Sequence, residues 1–262
     1  MTNFEAILLG LLQGVTEFLP VSSSGHLVMG QELMGLSLPG ITFEVVVHVA
    51  TLLSVLVVYR DRLIGLARRT LLERDEEAWR YVALLALATL PVAVVGVTQG
   101  GRVESLFGNP VVVGVALLVT GTFLVSTRWA LRRELAPRFG WRVAVLIGFA
   151  QCLALVPGIS RSGITVTTAL WLGGTPLEAA AFPFLLSIPA ISGAAILQLP
   201  ELAPGGGGVS AVPLTLAFLA AAVAGVLAIW LFLRMLENRS FPAFAVYCWM
   251  VGTGFLGWLL FV

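Results

Sequence analysis

Two stretches of the sequence decide the fold: PVSSSGH, from Pro20 to His26, and PGISRSG, from Pro157 to Gly163. Each lies near the centre of a longer apolar segment, Phe4–Leu36 and Val143–Leu172. A membrane-spanning helix needs about 20 apolar residues, and each half of these segments is shorter than that. Broken backbone at membrane depth persists only where protein buries it or where it lines a polar cavity. The sequence therefore predicts two re-entrant helical hairpins.

The composition is that of an integral membrane protein. Of the 262 residues, 58% are hydrophobic and 11% are charged, whereas soluble domains carry about 25% charged residues. A soluble protein of this size could not bury so much apolar surface. Six further segments are long and apolar enough to cross the bilayer. They are Ile41–Tyr59, Tyr81–Thr98, Pro110–Thr127, Leu177–Leu199, Pro213–Leu233 and Pro242–Phe261.

The placement of arginine supports this topology. The 15 basic residues are all arginines. With two re-entrant hairpins and six spans, thirteen of them fall on one side, in Arg60–Arg80, Arg128–Arg142 and Arg234–Arg239. Positive residues mark the cytoplasmic face. We therefore expect a multi-pass membrane protein with both termini outside.

An internal repeat relates the two interrupted segments. A shift of 138 positions aligns five pairs of identical residues: Gly10 with Gly148, Gln13 with Gln151, Ser22 with Ser160, Ser24 with Ser162, and Gly25 with Gly163. Each copy holds a broken hairpin and three spans, and an odd number of spans inverts the second copy. We predict an all-α membrane domain over 1–262, with repeat one at about 1–130 and repeat two at about 138–262. Such inverted repeats place their site at the repeat interface, near the midplane.

The first interrupted segment carries groups for acid–base and nucleophilic chemistry. Gln13 and Glu17 are four residues apart and share one helix face. A carboxylate can hold a divalent cation or take a proton, and His26 can shuttle protons near neutral pH. A serine hydroxyl can attack phosphorus when a base activates it. Ser22, Ser23, Ser24 and Gly25 lie between Glu17 and His26.

The second interrupted segment carries groups that bind anions. Arg161 offers a planar, permanently charged fork that suits phosphate oxygens. Glycines allow close backbone approach, and the N-terminus of the following helix favours bound phosphate. The expected phosphate contacts are Ser22, Ser24, Gly25, Ser160, Ser162, Gly163 and Thr165.

The same residues also have structural explanations. A serine in a membrane helix often bonds its own backbone, and His26 alone could be an interfacial histidine. Arg161 and Glu17 are harder to explain structurally, because charges within a membrane are costly. The Glu44 and His48 pair is interpreted first as an interfacial helix cap and second as a pocket wall. Gln99, Arg102 and Glu104 are expected in an outer loop.

The two loops resemble those of the undecaprenyl-diphosphate phosphatase family associated with bacitracin resistance. The motifs that carry the resemblance are QGVTEFLPVSSSGH, at 13–26, and QCLALVPGISRSG, at 151–163. The FEVV run at Phe43 and the chain length also fit, so the resemblance covers essentially the whole sequence. It implies a hydrolase of the bacterial inner membrane, with a site that opens outward, that removes the terminal phosphate of undecaprenyl pyrophosphate at the outer face of the membrane. This recycles the lipid carrier for peptidoglycan synthesis and confers bacitracin resistance.

The resemblance also assigns roles to residues. It places the essential acid at Glu17, the essential arginine at Arg161 and the key serine at Ser23, with His26 implicated. Serine, histidine and an activated water remain alternative attacking groups, with Ser23 favoured. It implies a divalent cation, Mg²⁺ or Ca²⁺, at Glu17 and Gln13. Gln13 stands at the first position of the family's E-x-x-x-E signature, where the family has either Glu or Gln. This chain therefore has one carboxylate of the pair, at Glu17, and not two.

Two other functions fit part of the sequence pattern. Inverted repeats with broken helices are also transporter architecture, so a flippase for undecaprenyl phosphate or another anionic lipid is the alternative. Type-2 phosphatidic acid phosphatases share the SGH triplet but need an upstream lysine and a second histidine after a Ser-Arg pair, whereas this chain has no lysine and no histidine after His48. We expect a polyprenyl pyrophosphate substrate, surrounding membrane lipid, no nucleic-acid partner and, as a candidate assembly, a homodimer.

Overall fold

The fold is helical throughout the part of the chain that the structure describes. The computed structural model describes residues 1–36, 41–131, 140–199 and 209–261. Within these ranges there are eleven α-helices, a 3₁₀ turn at Phe241–Ala243 and no β-strand. The helices are α1 Asn3–Phe18, α2 Ser23–Met34, α3 Thr42–Val58, α4 Arg60–Leu71, α5 Glu76–Phe107, α6 Pro110–Ala130, α7 Trp141–Leu153, α8 Arg161–Trp171, α9 Pro176–Gln198, α10 Ala211–Glu237 and α11 Phe244–Trp258.

The length and apolar character of these helices make the chain a multi-pass membrane protein. Four of them, α5, α6, α9 and α10, can each cross a bilayer, as can α11 together with the turn before it. The predicted span Ile41–Tyr59 corresponds to α3, which has 17 residues. It meets the length test only together with α4, which is bent from it by 73°. All six predicted spans are thus helices in the structure.

The interruptions fall where the sequence predicts them. The helix α1 ends at Phe18 and α2 begins at Ser23, while α7 ends at Leu153 and α8 begins at Arg161. Gly30 of α2 lies against the side chains of Leu9 and Leu12 of α1, so the chain reverses direction at the first break. The helices α7 and α8 also pack together. Both apolar segments are therefore pairs of short helices.

One prediction about the connections is wrong. Gln99, Arg102 and Glu104 are not in a loop, because α5 continues as one helix of 32 residues to Phe107. The guanidinium of Arg102 donates to the side-chain oxygen of Gln99 at 2.8 Å, one helical turn away. The connection that follows is short because Asn109 caps α6 and Pro110 occupies its first turn, where proline is favoured.

The packing of the helices sets the position of the two breaks. The helix α1 lies against α10, and α7 lies against α5. Phe18, the last residue of α1, is fully buried and packs edge-on against Phe184 of α9 at 5.7 Å between ring centroids. The break that follows Phe18 is thereby fixed in the protein interior. The Arg-rich stretch Arg128–Arg142 is predicted to link the two repeats, and its residues 132–139 lie outside the described residues.

Candidate active site

The two interrupted segments meet inside the protein. The Ser22 hydroxyl oxygen accepts a hydrogen bond from the Gly158 backbone N–H at 3.1 Å. The Ser162 hydroxyl donates to the Leu19 carbonyl at 3.2 Å. A Cβ atom on Gly25 would lie 3.0 Å from the Cα of Gly158, so any larger residue there would push the two loops apart. The loops predicted to share one site are in direct contact.

Each loop ends in a serine that caps the next helix in the same way. The Ser22 hydroxyl accepts from the Gly25 N–H at 3.3 Å, and the Ser160 hydroxyl accepts from the Gly163 N–H at 3.1 Å. The first N–H groups of any helix have no intrahelical acceptor and attract anions. Two helix N-termini, those of α2 and α8, therefore converge on one region.

The backbone of Ser22 adopts a conformation that side chains rarely take. Its φ of 70° and ψ of 98° lie outside the common regions for residues other than glycine. Such strain costs on the order of 1–3 kcal/mol and persists only where the surroundings hold it. The strained residue immediately precedes Ser23, the first residue of α2.

Glu17 is the centre of the polar cluster. Its side chain is only 5% exposed. One carboxylate oxygen accepts a hydrogen bond from the Arg161 guanidinium. The other accepts from the Ser23 hydroxyl at 2.5 Å and from the Gln13 amide at 3.0 Å. An ionised carboxylate so far from water requires such partners, so the structure joins the predicted acid, serine and arginine in one cluster.

His26 lies apart from this cluster. Its Nδ1 is 2.8 Å from the Ser22 carbonyl oxygen, and its Nε2 is 2.8 Å from the Tyr247 hydroxyl. The ring is buried, with 5% of the residue exposed. Among the described residues, no hydrogen bond joins its ring to Glu17, Ser23 or Arg161.

The remaining predicted residues shape the loops. The hydroxyls of Ser22 and Ser24 are 3.3 Å apart, and those of Ser160 and Ser162 are 3.2 Å apart. The Thr165 hydroxyl donates to the backbone carbonyl of Arg161 at 2.6 Å and is therefore directed to its own helix.

Three residues near the site were missed or misplaced in the sequence analysis. His48 has its Nε2 3.8 Å from a Glu17 oxygen, so its second interpretation, as a pocket wall, is the one that the structure supports. The Thr120 hydroxyl donates to the Gly158 carbonyl at 2.9 Å and accepts from the Ser160 N–H at 3.1 Å. Tyr247 contacts His26. The sequence offered a local signal only for His48, through its spacing from Glu44.

The donors for a divalent cation are few. No group of three His, Cys, Asp or Glu side chains suited to a metal occurs among the described residues. The Gln13 side-chain oxygen is buried and has no hydrogen-bond partner among the described residues. The amide nitrogen of the same side chain donates to Glu17. Mg²⁺ is commonly held by one or two protein oxygens together with substrate phosphates. The pair fits that limited role.

A wide apolar groove lies elsewhere on the molecule. It has a volume of about 1000 Å³ and is formed by α6, α7, α8 and Trp249 of α11. Leu146, Phe123 and Trp171 are among its lining residues, whereas none of the polar cluster around Glu17 is. The groove is therefore distinct from the candidate active site.

A family model and individual relatives relate this chain to the same family. The family model described as "Bacitracin resistance protein BacA" matches residues 6–254. The undecaprenyl-diphosphatase of Alcanivorax borkumensis is 40% identical over 266 residues, which cover 99% of this chain and all of that protein. The undecaprenyl-diphosphatase of Desulforapulum autotrophicum is 39% identical over 268 residues, 96% of each chain. That of Rubrobacter xylanophilus is 42% identical over 256 residues, 93% of each chain.

Proposed function

The chain belongs to the BacA family of bacitracin resistance proteins, and we propose that it hydrolyses undecaprenyl pyrophosphate to undecaprenyl phosphate and inorganic phosphate. The relatives named above are undecaprenyl-diphosphatases. The observation that carries the proposal is the hydrogen bond from the Ser23 hydroxyl to the Glu17 carboxylate, whose other oxygen binds Arg161. The transport alternative has no support among these relatives.

The arrangement suits attack by Ser23 on the terminal phosphorus. The serine oxygen forms a bond to that phosphorus, and its proton passes to the Glu17 carboxylate. The bond from phosphorus to the bridging oxygen breaks, and undecaprenyl phosphate leaves with the electron pair. Water then attacks the phosphoserine, releases inorganic phosphate and restores the hydroxyl. Glu17, after releasing the first proton to solvent, accepts a proton from that water and donates it to the departing oxygen of Ser23.

Arg161 supplies the positive charge. Its guanidinium hydrogen-bonds Glu17, and phosphate oxygens of the substrate compete for the same donors. When the Arg161 guanidinium donates to the phosphate instead, Glu17 is free to act as a base. The guanidinium then also stabilises the negative charge that develops on the phosphoryl group during its transfer. Backbone N–H groups at the starts of α2 and α8 add to this anion site. The hydroxyls of Ser22, Ser24, Ser160 and Ser162 hold the loops in place around it.

His26 is disfavoured as the attacking group. Both of its ring nitrogens are within hydrogen-bond distance of other partners, whereas Ser23 is bonded to a base. A phosphate monoester is also a good leaving group and needs little help from an acid. Water activated by Glu17 in place of Ser23 is the remaining alternative.

Phosphate release by the purified protein tests the function directly. With undecaprenyl or farnesyl pyrophosphate, we expect Glu17→Gln and Arg161→Ala each to lower the rate by at least about 100-fold, because they remove the base and the charged clamp. Glu104→Gln and Arg102→Ala make the same chemical changes on the exposed end of α5 and should keep wild-type activity. Folded wild type without phosphate release would rule the proposal out.

We further propose that Glu17 and Gln13 hold a divalent cation, Mg²⁺ or Ca²⁺, together with the substrate. Such an ion neutralises pyrophosphate charge and polarises the phosphorus–oxygen bond. The orphan oxygen of Gln13 supports this placement. Glu17 provides one carboxylate oxygen, and the amide of Gln13 adds a ligand without adding charge.

The charge of the ligand pair gives a test of the cation. EDTA should abolish phosphate release, and added Mg²⁺ or Ca²⁺ should restore it. Gln13→Glu supplies a second carboxylate and should lower the cation concentration for half-maximal activity severalfold. Gln99→Glu adds the same charge at the outer end of α5 and should leave that concentration unchanged. Equal behaviour of the two variants, or activity that resists EDTA, would contradict this cation site.

We also propose that the two hairpins are re-entrant and that repeats one and two are inverted copies in a single domain. Contacts related by the shift of 138 support the repeat. Gly25 lies against Gly158, and Gly163 lies against Pro20. In the same way Gly114 lies against Leu256, and Gly252 lies against Leu118. An approximate two-fold axis between the repeats would produce such reciprocal pairs. The homodimer stays a prediction.

The topology can be tested with single cysteines at exposed leucines. Leu260, near the C-terminus, is 83% exposed and Leu72, after α4, is 79% exposed. In a background with Cys152 and Cys248 replaced by alanine, a membrane-impermeant thiol reagent should label Leu260→Cys in intact spheroplasts. Leu72→Cys should react only after the membrane is opened. The reverse pattern, or labelling of both positions from one side, would contradict the proposed orientation.

A further inference from the structure

Tyr247 reaches the first loop from the far end of the chain. It lies on α11, 221 positions after His26, and its hydroxyl is 2.8 Å from the His26 Nε2. The two rings are also stacked, with 5.7 Å between centroids and 11° between planes. The contact therefore has an apolar part, made by the ring, and a polar part, made by the hydroxyl alone.

The partners of His26 select its tautomer. The Ser22 carbonyl oxygen, 2.8 Å from Nδ1, can only accept a hydrogen bond, so Nδ1 carries the proton. In the neutral ring Nε2 is then an acceptor, and the Tyr247 hydroxyl donates to it. Each nitrogen of a neutral imidazole thus has a partner of the matching kind.

This chain of hydrogen bonds ends at the strained turn. His26 holds the carbonyl of Ser22, the residue with φ of 70° that directly precedes Ser23. The next residue of α11 braces the same loop, because the Cys248 thiol lies 3.6 Å from the Pro20 carbonyl oxygen. The Ser22 hydroxyl binds the second loop through Gly158. The carbonyl and the hydroxyl of Ser22 are both held, and Ser23 is directed to Glu17.

We propose that Tyr247 is a positioning residue, whose hydroxyl fixes His26 as the Nδ1–H tautomer and so holds the Ser22–Ser23 turn for attack. Its effect on turnover rests on the proposed phosphatase function, whereas its effect on the tautomer does not. His26 then supports the turn through the hydrogen bond from its Nδ1–H to the Ser22 carbonyl oxygen, and it does not exchange a proton with the substrate.

Nitrogen NMR tests the tautomer without any assay of activity. The chain has only two histidines, so labelling with ¹⁵N-histidine gives two rings, which His48→Gln assigns. We expect His26 of the wild type to carry its proton on Nδ1, and Tyr247→Phe to shift the His26 Nε2 signal while the His48 signals stay in place. A proton on His26 Nε2 in the wild type, or no shift in Tyr247→Phe, would overturn the proposal.

Kinetics test the positioning role. Tyr247→Phe keeps the stacked ring and should lower kcat about 10-fold, the scale of one hydrogen bond, with KM unchanged. Tyr81→Phe removes another hydroxyl hydrogen bond, to Arg62 at 3.1 Å, and should change neither constant. In a His26→Ala background, Tyr247→Phe should have no further effect, because Tyr247 acts through His26.

The alternative roles give different results. Full additivity of the two substitutions, or a rise in KM with kcat intact, would overturn positioning and make Tyr247 a substrate contact. If Tyr247→Phe lowers the unfolding temperature so far that the unfolded fraction accounts for the lost activity, the role of Tyr247 is structural and the positioning role is overturned. If no variant or wild type releases phosphate, the proposed function fails, and the NMR result still decides the tautomer.

Discussion

The ion pair between Glu17 and Arg161 is the interaction on which the rest of the structure depends. Its partners are 144 residues apart in sequence and come from the two interrupted segments. The Glu17 and Arg161 side chains are 5% and 21% exposed. Removing two charges from water costs several kcal/mol per ion, and attraction offsets that cost only where geometry and further hydrogen bonds are good. Each partner therefore requires the other, and both require the loops to meet.

The loops can meet because they are built from small and polar residues. Serine hydroxyls and glycine N–H groups bond across the contact, as Ser22 does with Gly158 and Ser162 does with Leu19. Gly158 has a φ of 99°, which favours glycine. The Cβ of a larger residue there would lie 2.4 Å from the Val113 carbonyl oxygen. The same features that interrupt the helices inside the protein thus provide the hydrogen bonds that stabilise the interruption.

Sequence reasoning found the residues whose chemistry is unusual in a membrane. Glu17 and Arg161 are conspicuous because a buried charge is costly, whereas only the resemblance of the loop motif to the phosphatase family singles out Ser23 among the three serines. It could not find Tyr247 or Thr120, since their partners lie far along the chain and a tyrosine or threonine in a membrane helix is ordinary. It placed Gln99 and Arg102 in a loop because they are polar, yet α5 continues through them. Polar residues do not by themselves end a helix, and here α5 continues until shortly before Asn109, the N-cap of the next helix.

The central claim is that Ser23, which is hydrogen-bonded to the Glu17 carboxylate, forms a covalent bond to the transferred phosphate. The measurement that tests it is mass spectrometry of the protein after brief reaction with undecaprenyl pyrophosphate, quenched in neutral denaturant so that phosphoserine and phosphohistidine both survive. The account predicts a phosphate on Ser23 that forms in Ser24→Ala and is absent from Ser23→Ala. Phosphate on His26, or rapid turnover by Ser23→Ala, would contradict it.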